Sequence, residues 1–201
     1  MTNDTSRRTF VLSAVALAGT ALVPLDAQAL TEERARTLVA QVVREINQTI
    51  ESSGSQAAVI RKFEQIFQRY ADVSIIARST LGADARRASN AQMQAFTNAF
   101  RGYITRKYGK RFDEFRGGRI EVNSVREVKS WHEVSATAYL PGQSPFEVRF
   151  LVSDKSGQDK FFDMVVEGIS LRLSEREEIG AMLDQRNGDI DALIQALQNA
   201  G

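Results

Sequence analysis

The sequence contains no cysteine, one histidine and three prolines among its 201 residues. Without cysteine the chain has neither disulfides to stabilise the fold nor thiolate ligands for a metal. With one histidine, a zinc or iron site would have to consist almost entirely of carboxylates, which those metals seldom accept. That residue, His132, lies between two predicted strands, where we expect an exposed hairpin tip. We therefore expect apolar packing to stabilise the protein, and no bound metal or other cofactor.

Neither sign of charge dominates, since 26 lysines and arginines face 25 aspartates and glutamates. Such a balance produces no general field that would attract nucleic acid or an anionic membrane surface. Recognition of a partner must therefore depend on shape and on local patches of charge, and we expect no nucleic-acid partner.

Long hydrophobic runs are also missing, apart from one that follows Arg7-Arg8 and ends near Val23. That run is too short for a bilayer core of roughly 30 Å, which needs about 20 residues. Ala27-Gln28-Ala29 then offers a small-x-small cleavage site. The pattern predicts a Tat-type signal peptide over residues 1–29 and a periplasmic location, and the alternative is an uncleaved anchor. Residues 30–201 contain no linker-like stretch and are predicted to form one domain.

The first half of that domain shows apolar residues at helical spacing. We predict helices over residues 31–50, 56–70, 72–81 and 89–108. The third would open at Asp72 or Ser74 and the fourth at Ser89 or Asn90, which are residue types that cap helix N-termini.

After Gly117-Gly118 the period of the pattern changes to two, which is typical of strands. Four strands are predicted over residues 119–128, 133–140, 146–153 and 160–166, joined by short polar connections that favour an antiparallel meander. Two more helices follow, one opened by a capping box at Ser174 and one beginning near Asp189. The expected fold class is α+β, with helices on one face of a curved four-stranded antiparallel sheet.

An apolar pocket can form between the helices and the inner face of that sheet, although a solid core is the alternative that periodicity leaves open. The candidates for its lining are the aromatic, branched and small side chains predicted to point inward. They are Phe63, Phe67, Ile76, Phe96, Phe100, Tyr103, Val122, Val134, Ala136, Ala138, Phe146, Val148, Phe150, Met164 and Val166.

One stretch near the end of the predicted sheet, residues 160–171, reads Lys-Phe-Phe-Asp-Met-Val-Val-Glu-Gly-Ile-Ser-Leu, and Arg176 follows it. It resembles the signature of the MlaC or toluene-tolerance auxiliary family, roughly W-K-v-y-D-v-x-v-e-G-v-S-l followed by Y-R. Upstream similarities include Phe100-x-x-Tyr103 and Tyr108-Gly109. The chain departs from the signature at two positions, with Asp159 at the tryptophan and Glu175 at the tyrosine.

The resemblance implies an NTF2-like fold whose pocket holds the acyl tails of a phospholipid. It also implies a non-catalytic carrier that exchanges lipid with an outer-membrane lipoprotein complex and an inner-membrane ABC transporter, and so maintains outer-membrane asymmetry. A protein-binding adaptor with a filled core is a further alternative.

Charged residues supply the remaining candidates. A basic run that includes Arg106, Lys110 and Arg111, together with Arg176, is predicted to contact a phosphate head group or an acidic partner, unless it is merely a solvated surface. Asp163 and Glu167 could form an acid/base pair in a small-molecule enzyme of the same fold. A structural hydrogen bond that holds the turn at Gly168 is the alternative for them.

Overall fold

The computed structural model describes residues 29–52 and 55–201, so the predicted signal peptide lies outside them except for its last residue. Within these residues the chain forms six α-helices. They are α1 (Glu32–Glu51), α2 (Gln56–Tyr70), α3 (Val73–Leu81), α4 (Asn90–Gly109), α5 (Leu171–Asp184) and α6 (Ile190–Asn199). Two short 3-10 turns, Gly82–Arg86 and Lys110–Phe115, follow α3 and α4 and were not predicted.

The helix N-termini begin where side-chain caps satisfy free backbone amides. Thr31, Asp72 and Ser89 each accept a hydrogen bond from the backbone three residues on, and Ser89 forms a full capping box with Gln92. The prediction for α5 was wrong, because its cap is Ser170, four residues before the predicted Ser174.

The sheet contains five antiparallel strands in sequential order within the described part of the chain. They are β1 (Arg119–Val128), β2 (Trp131–Tyr139), β3 (Phe146–Ser153), β4 (Lys160–Val166) and β5 (Ile169–Ser170). Four strands were predicted. The fifth has two residues and forms because Glu167 and Gly168 both adopt positive φ, which reverses the chain so that Val166 pairs with Ile169.

The helices cover the inner face of the sheet, which confirms the predicted α+β class. Helix α1 packs on β1 and β2, where the Asn47 side chain exchanges two 3.0 Å hydrogen bonds with the backbone of Ile120. Helix α4 packs against α2 and α6, and α3 packs against α5. Register shifts after Val122 in β1 and within β4 are bulges of the kind that bend a sheet.

His132 is not the exposed hairpin tip that the sequence predicts. Strand β2 begins at Trp131, two residues earlier than predicted, so His132 shares the inner face with Val134 and pairs with Val152. Its side chain is consequently buried.

The start of α1 is tied to the connection between β3 and β4. The Leu30 amide donates to Asp154, and the Arg34 guanidinium forms two hydrogen bonds of 2.8 and 2.7 Å with the Asp159 carboxylate. Asp159 thus supplies an ion pair at the position where the family signature has tryptophan. No helix among residues 29–52 and 55–201 has the length and hydropathy needed to cross a bilayer.

Candidate functional site

A cavity of about 610 Å³ lies between the helices and the inner face of the sheet. Most of its wall is aliphatic or aromatic, and helices α1 to α5 all contribute to it. The apolar wall residues are Val42, Ile46, Phe63, Ile66, Phe67, Ile76, Phe100, Ile104, Tyr108, Phe115, Ile120, Leu140, Phe146, Val148, Phe150, Phe161, Phe162, Met164, Val166 and Leu171. The interior of the domain is therefore hollow and apolar, with a volume typical of cavities that hold organic ligands.

Nine of the fifteen predicted pocket residues lie in this wall. They are Phe63, Phe67, Ile76, Phe100, Phe146, Val148, Phe150, Met164 and Val166. Strand pairing explains part of the agreement, because Val148 and Phe150 lie opposite Val166 and Met164 on the same face of the sheet. That each of these side chains contacts a ligand stays a prediction.

The other six predicted pocket residues lie outside the wall, and the reason differs between strands and helices. Val134, Ala136 and Ala138 are on the correct face of β2 and fully buried, but α1 packs over that strand and its neighbour. Val122 comes just before the β1 bulge and is only partly buried.

On α4, Phe96 is fully buried without reaching the cavity, and Tyr103 is directed to α5, where its hydroxyl donates to Glu178.

Phe161 is a wall residue that the sequence analysis missed. Its ring contacts Phe67 at 6.5 Å and Phe150 at 5.8 Å between centroids, so it joins the helical and sheet sides of the cavity. The bulge in β4 places both Phe161 and Met164 opposite inner-face residues of β3, which strict alternation does not allow. The two adjacent phenylalanines at 161–162 were the available signal in the sequence. Only the bulge, however, decides that Phe161 faces the cavity.

The cavity reaches the surface at one end, because several of its wall residues are exposed. These are Arg111 and Glu114 in the 3-10 turn after α4, Gln143 and Ser144 between β2 and β3, and Glu167 in the turn after β4. A ligand enclosed by the apolar wall would present its polar end here.

Of the four predicted head-group contacts, only Arg111 lies in the cavity wall. Arg106 donates to the carbonyls of Leu197 and Ala200 and so caps the C-terminus of α6. Lys110 donates to the Gly201 carbonyl, and Arg176 lies against Gly82. Arg106 and Lys110 are thus used to fix the C-terminus, and Arg176 lies outside the cavity wall. The order of basic residues along the chain does not reveal this.

Asp163 and Glu167 both border the cavity but lie in different surroundings. Asp163 is buried and accepts hydrogen bonds from the Ser170 hydroxyl at 2.6 Å and the Arg172 amide at 3.0 Å. Glu167 is exposed in the turn at φ 49°. The Asp163 carboxylate therefore fixes the turn and the first residues of α5, which agrees with the structural alternative.

A polar cluster connects α4 to α5, and we call it the α4–α5 cluster: Tyr103, Lys107, Tyr108, Glu175 and Glu178. The Lys107 ammonium donates to Glu175, Glu178 and the Tyr103 hydroxyl. The Tyr108 hydroxyl also donates to Glu175, whose second oxygen is buried and has no hydrogen-bond partner among the described residues. Tyr108 and Glu175 belong to the cavity wall, so this cluster forms its polar margin.

The cluster shifts the pKa values of its members. Burial and the neighbouring carboxylates raise the pKa of Tyr103 and of Tyr108, which keeps both hydroxyls protonated as donors. Burial would lower the pKa of Lys107, but its hydrogen bonds to Glu175 and Glu178 outweigh burial and raise it. Burial would raise the pKa of Glu178, but hydrogen bonds from Lys107 and Tyr103 lower it.

The fold and the site together thus define an α+β domain built around an apolar cavity that is open at one end. No group of three or more His, Asp or Glu side chains within the described ranges is arranged to hold a metal ion. The family described as MlaC protein matches residues 36–199. The chain belongs to the MlaC family, which confirms the resemblance found in the sequence.

A solved structure shares this architecture. The phospholipid-binding protein from Ralstonia solanacearum, determined in complex with a phospholipid at 1.53 Å resolution, is similar with a TM-score of 0.71. The similarity covers 82% of this chain and 95% of that one, at 19% sequence identity. At this identity the likeness is one of fold.

Proposed function

We propose that this protein binds a phospholipid, with the acyl chains in the cavity and the head group at its open end. The observation that carries the proposal is the hollow, apolar interior, which ends at a rim of exposed polar residues. Family membership and the phospholipid complex of the Ralstonia solanacearum protein support it.

The energetics of lipid transfer explain why such a cavity is useful. A two-tailed lipid has about 30 chain methylenes, and exposing them to water costs about 0.8 kcal/mol each, or about 24 kcal/mol in total. Spontaneous transfer through water is therefore negligible. A carrier has to replace the membrane interior with an apolar wall, whereas its polar contacts to the head group can be few.

The family and the signal pattern in residues 1–29 support a wider role. We propose that the protein is a non-catalytic periplasmic carrier that shuttles phospholipid between the outer and inner membranes. Its partners would be an outer-membrane lipoprotein complex and an inner-membrane ABC transporter of the Mla type. Transfer of labelled lipid from carrier to transporter-containing vesicles, but not to vesicles without the transporter, would test this role.

Lipid binding itself is tested by mass spectrometry on protein purified without detergent, followed by uptake from phospholipid vesicles. We expect co-purified phospholipid and renewed uptake after its removal. Protein that contains no lipid and takes up none would overturn the proposal.

A pair of matched variants on the sheet locates the binding. Val148→Asp places a charge in the cavity wall and should abolish uptake, because the carboxylate would have to be desolvated against the acyl chains. Ser135→Asp places the same charge on the opposite face of the sheet and should leave uptake intact. If the two variants took up lipid equally, the lipid would not be bound in the cavity.

A further inference from the structure

Arg172, at the start of α5, is a cavity-wall cation that the sequence analysis did not single out. Its side chain is about three-quarters buried, with 24% of its surface exposed. Unlike Arg106, it does not use its guanidinium to cap a helix. It lies one turn before Glu175 on α5, and both residues belong to the polar part of the cavity wall.

Two contacts hold the guanidinium in place. Nη1 donates to the Ser79 hydroxyl on α3 at 2.6 Å, and Nε lies 3.5 Å from the Asp163 carboxylate. The backbone amide of Arg172 also donates to Asp163, so both ends of the residue are fixed to the same carboxylate. The side chain is therefore ordered before any ligand arrives, and binding costs little further conformational entropy.

These contacts leave part of the guanidinium without hydrogen bonds. Nε is buried against the Asp163 carboxylate and is not accessible to a ligand, although its 3.5 Å contact is no hydrogen bond. Nη2 donates to no described residue, and Arg172 borders the cavity. The second hydrogen of Nη1 and those of Nη2 are left as donors beside an apolar cavity. This edge of the guanidinium is suited to a planar or tetrahedral oxyanion that accepts two parallel hydrogen bonds.

We propose that the guanidinium of Arg172 binds the phosphodiester of the lipid and so makes the cavity selective for phospholipids over uncharged lipids with the same tails. This inference rests on the proposed function. Among the parts of a phospholipid, the phosphate is the anion, and it lies next to the glycerol at the end of the tails. A lipid with its tails in the apolar wall would bring that group to the margin where Arg172 lies.

A competition experiment tests the selectivity in the unmodified protein. Delipidated protein is incubated with vesicles that contain dioleoyl phosphatidylcholine and dioleoylglycerol in equal amounts, and the bound lipids are quantified by mass spectrometry. The two lipids share tails and ester carbonyls but differ in the phosphocholine group, in which the phosphate is the anion. We expect a strong excess of bound phosphatidylcholine.

The same measurement on Arg172→Gln should show this excess reduced by about tenfold or more, since a charge-assisted hydrogen bond is lost while the total lipid bound stays similar. Arg172→Lys keeps the charge without the planar fork and should give an intermediate ratio. Arg176→Gln, which removes an arginine one turn along the same helix and outside the wall, should keep the native ratio.

The outcomes separate the two proposals. Equal uptake of both lipids by the native protein, or an unchanged ratio in a folded Arg172→Gln, would overturn the role of Arg172 while leaving lipid binding in place. An equal loss in Arg176→Gln would also overturn it, because the selectivity would then not belong to Arg172. Uptake of neither lipid by the native protein would overturn lipid binding itself.

Discussion

The interior of this domain is filled under the first half of α1 and hollow under α2 to α5. In the filled region the side chains are small and fully buried, with Ala35 and Val39 on the helix and Ala136 and Ala138 on β2. In the hollow region they are large, and many are phenylalanines. The difference teaches that large side chains do not by themselves produce a filled core. Small ones let a helix approach the sheet closely, whereas rings on several elements can hold the layers apart around a cavity.

The largest effect that would sharpen this comparison is expected from Phe96→Ala. Phe96 is fully buried outside the cavity, so truncation should cost about 3–5 kcal/mol of unfolding free energy. Phe63→Ala, in the cavity wall and partly exposed, should cost well under half of that. Urea denaturation of lipid-free protein measures both. Equal losses would mean that the side chain in the cavity wall is packed as tightly as the one outside the cavity.

The second effect concerns the α4–α5 cluster at the margin of the hollow region. Lys107→Met leaves the buried Glu175 carboxylate without its cation and should cost about 3–5 kcal/mol. The double variant Lys107→Met with Glu175→Leu removes the orphaned charge and should recover most of the loss. Denaturant melts of the native, single and double variants form the test, and a double variant as unstable as the single one would contradict it.

Overpacking should separate the regions by function as well as by stability. Ala136→Leu adds volume where no space is left and should cost about 1–3 kcal/mol, with lipid uptake per folded molecule unchanged. Val148→Phe adds volume to the cavity and should change stability less but reduce uptake. If Ala136→Leu abolished uptake in folded protein, the cavity would extend under the first half of α1 as well.

The smallest effect is a pH dependence from Glu178. Its folded-state pKa is lowered, so its contribution is present above the unfolded pKa of about 4.3 and is lost as pH falls through the folded value. Lys107 has a raised pKa, and its contribution is lost only at alkaline pH. Glu178→Gln should lower the free energy of unfolding by less than about 1 kcal/mol at pH 7, because the side chain is half exposed. In strong acid the substitution should cost nothing, because the native carboxyl is then protonated. Thermal melts from pH 7 to pH 3 test this, and the difference in Tm between the native protein and Glu178→Gln should shrink as the pH falls.

Periodicity and caps carried most of the fold prediction. The bounds of α2, β1, β3 and β4 agree with the sequence pattern, because local spacing and turn residues determine where such elements begin and end. The errors arose where contacts between residues far apart in the chain decide where an element begins. Ser170 caps α5 because it also bonds Asp163, and the sequence around Ser174 offered an equally good local signal.

The cavity was less predictable than the fold. Alternation places Ala136 and Val148 on the same face of the sheet, yet which of them α1 covers depends on how the layers cross. The β4 bulge, which brings Phe161 to the wall, has no local signature. The placement of the Arg172 side chain likewise depends on its contact with Ser79, which is 93 residues away in the chain.

The tie between the start of α1 and the β3–β4 connection bears on how the protein folds. Arg34 has to find Asp159, 125 positions further along, and the Leu30 amide has to find Asp154. The first turn of α1 therefore cannot reach its final place until nearly all of the sheet has been synthesised. Closing so large a loop is slow, which favours late docking of this end onto a domain that is already largely assembled.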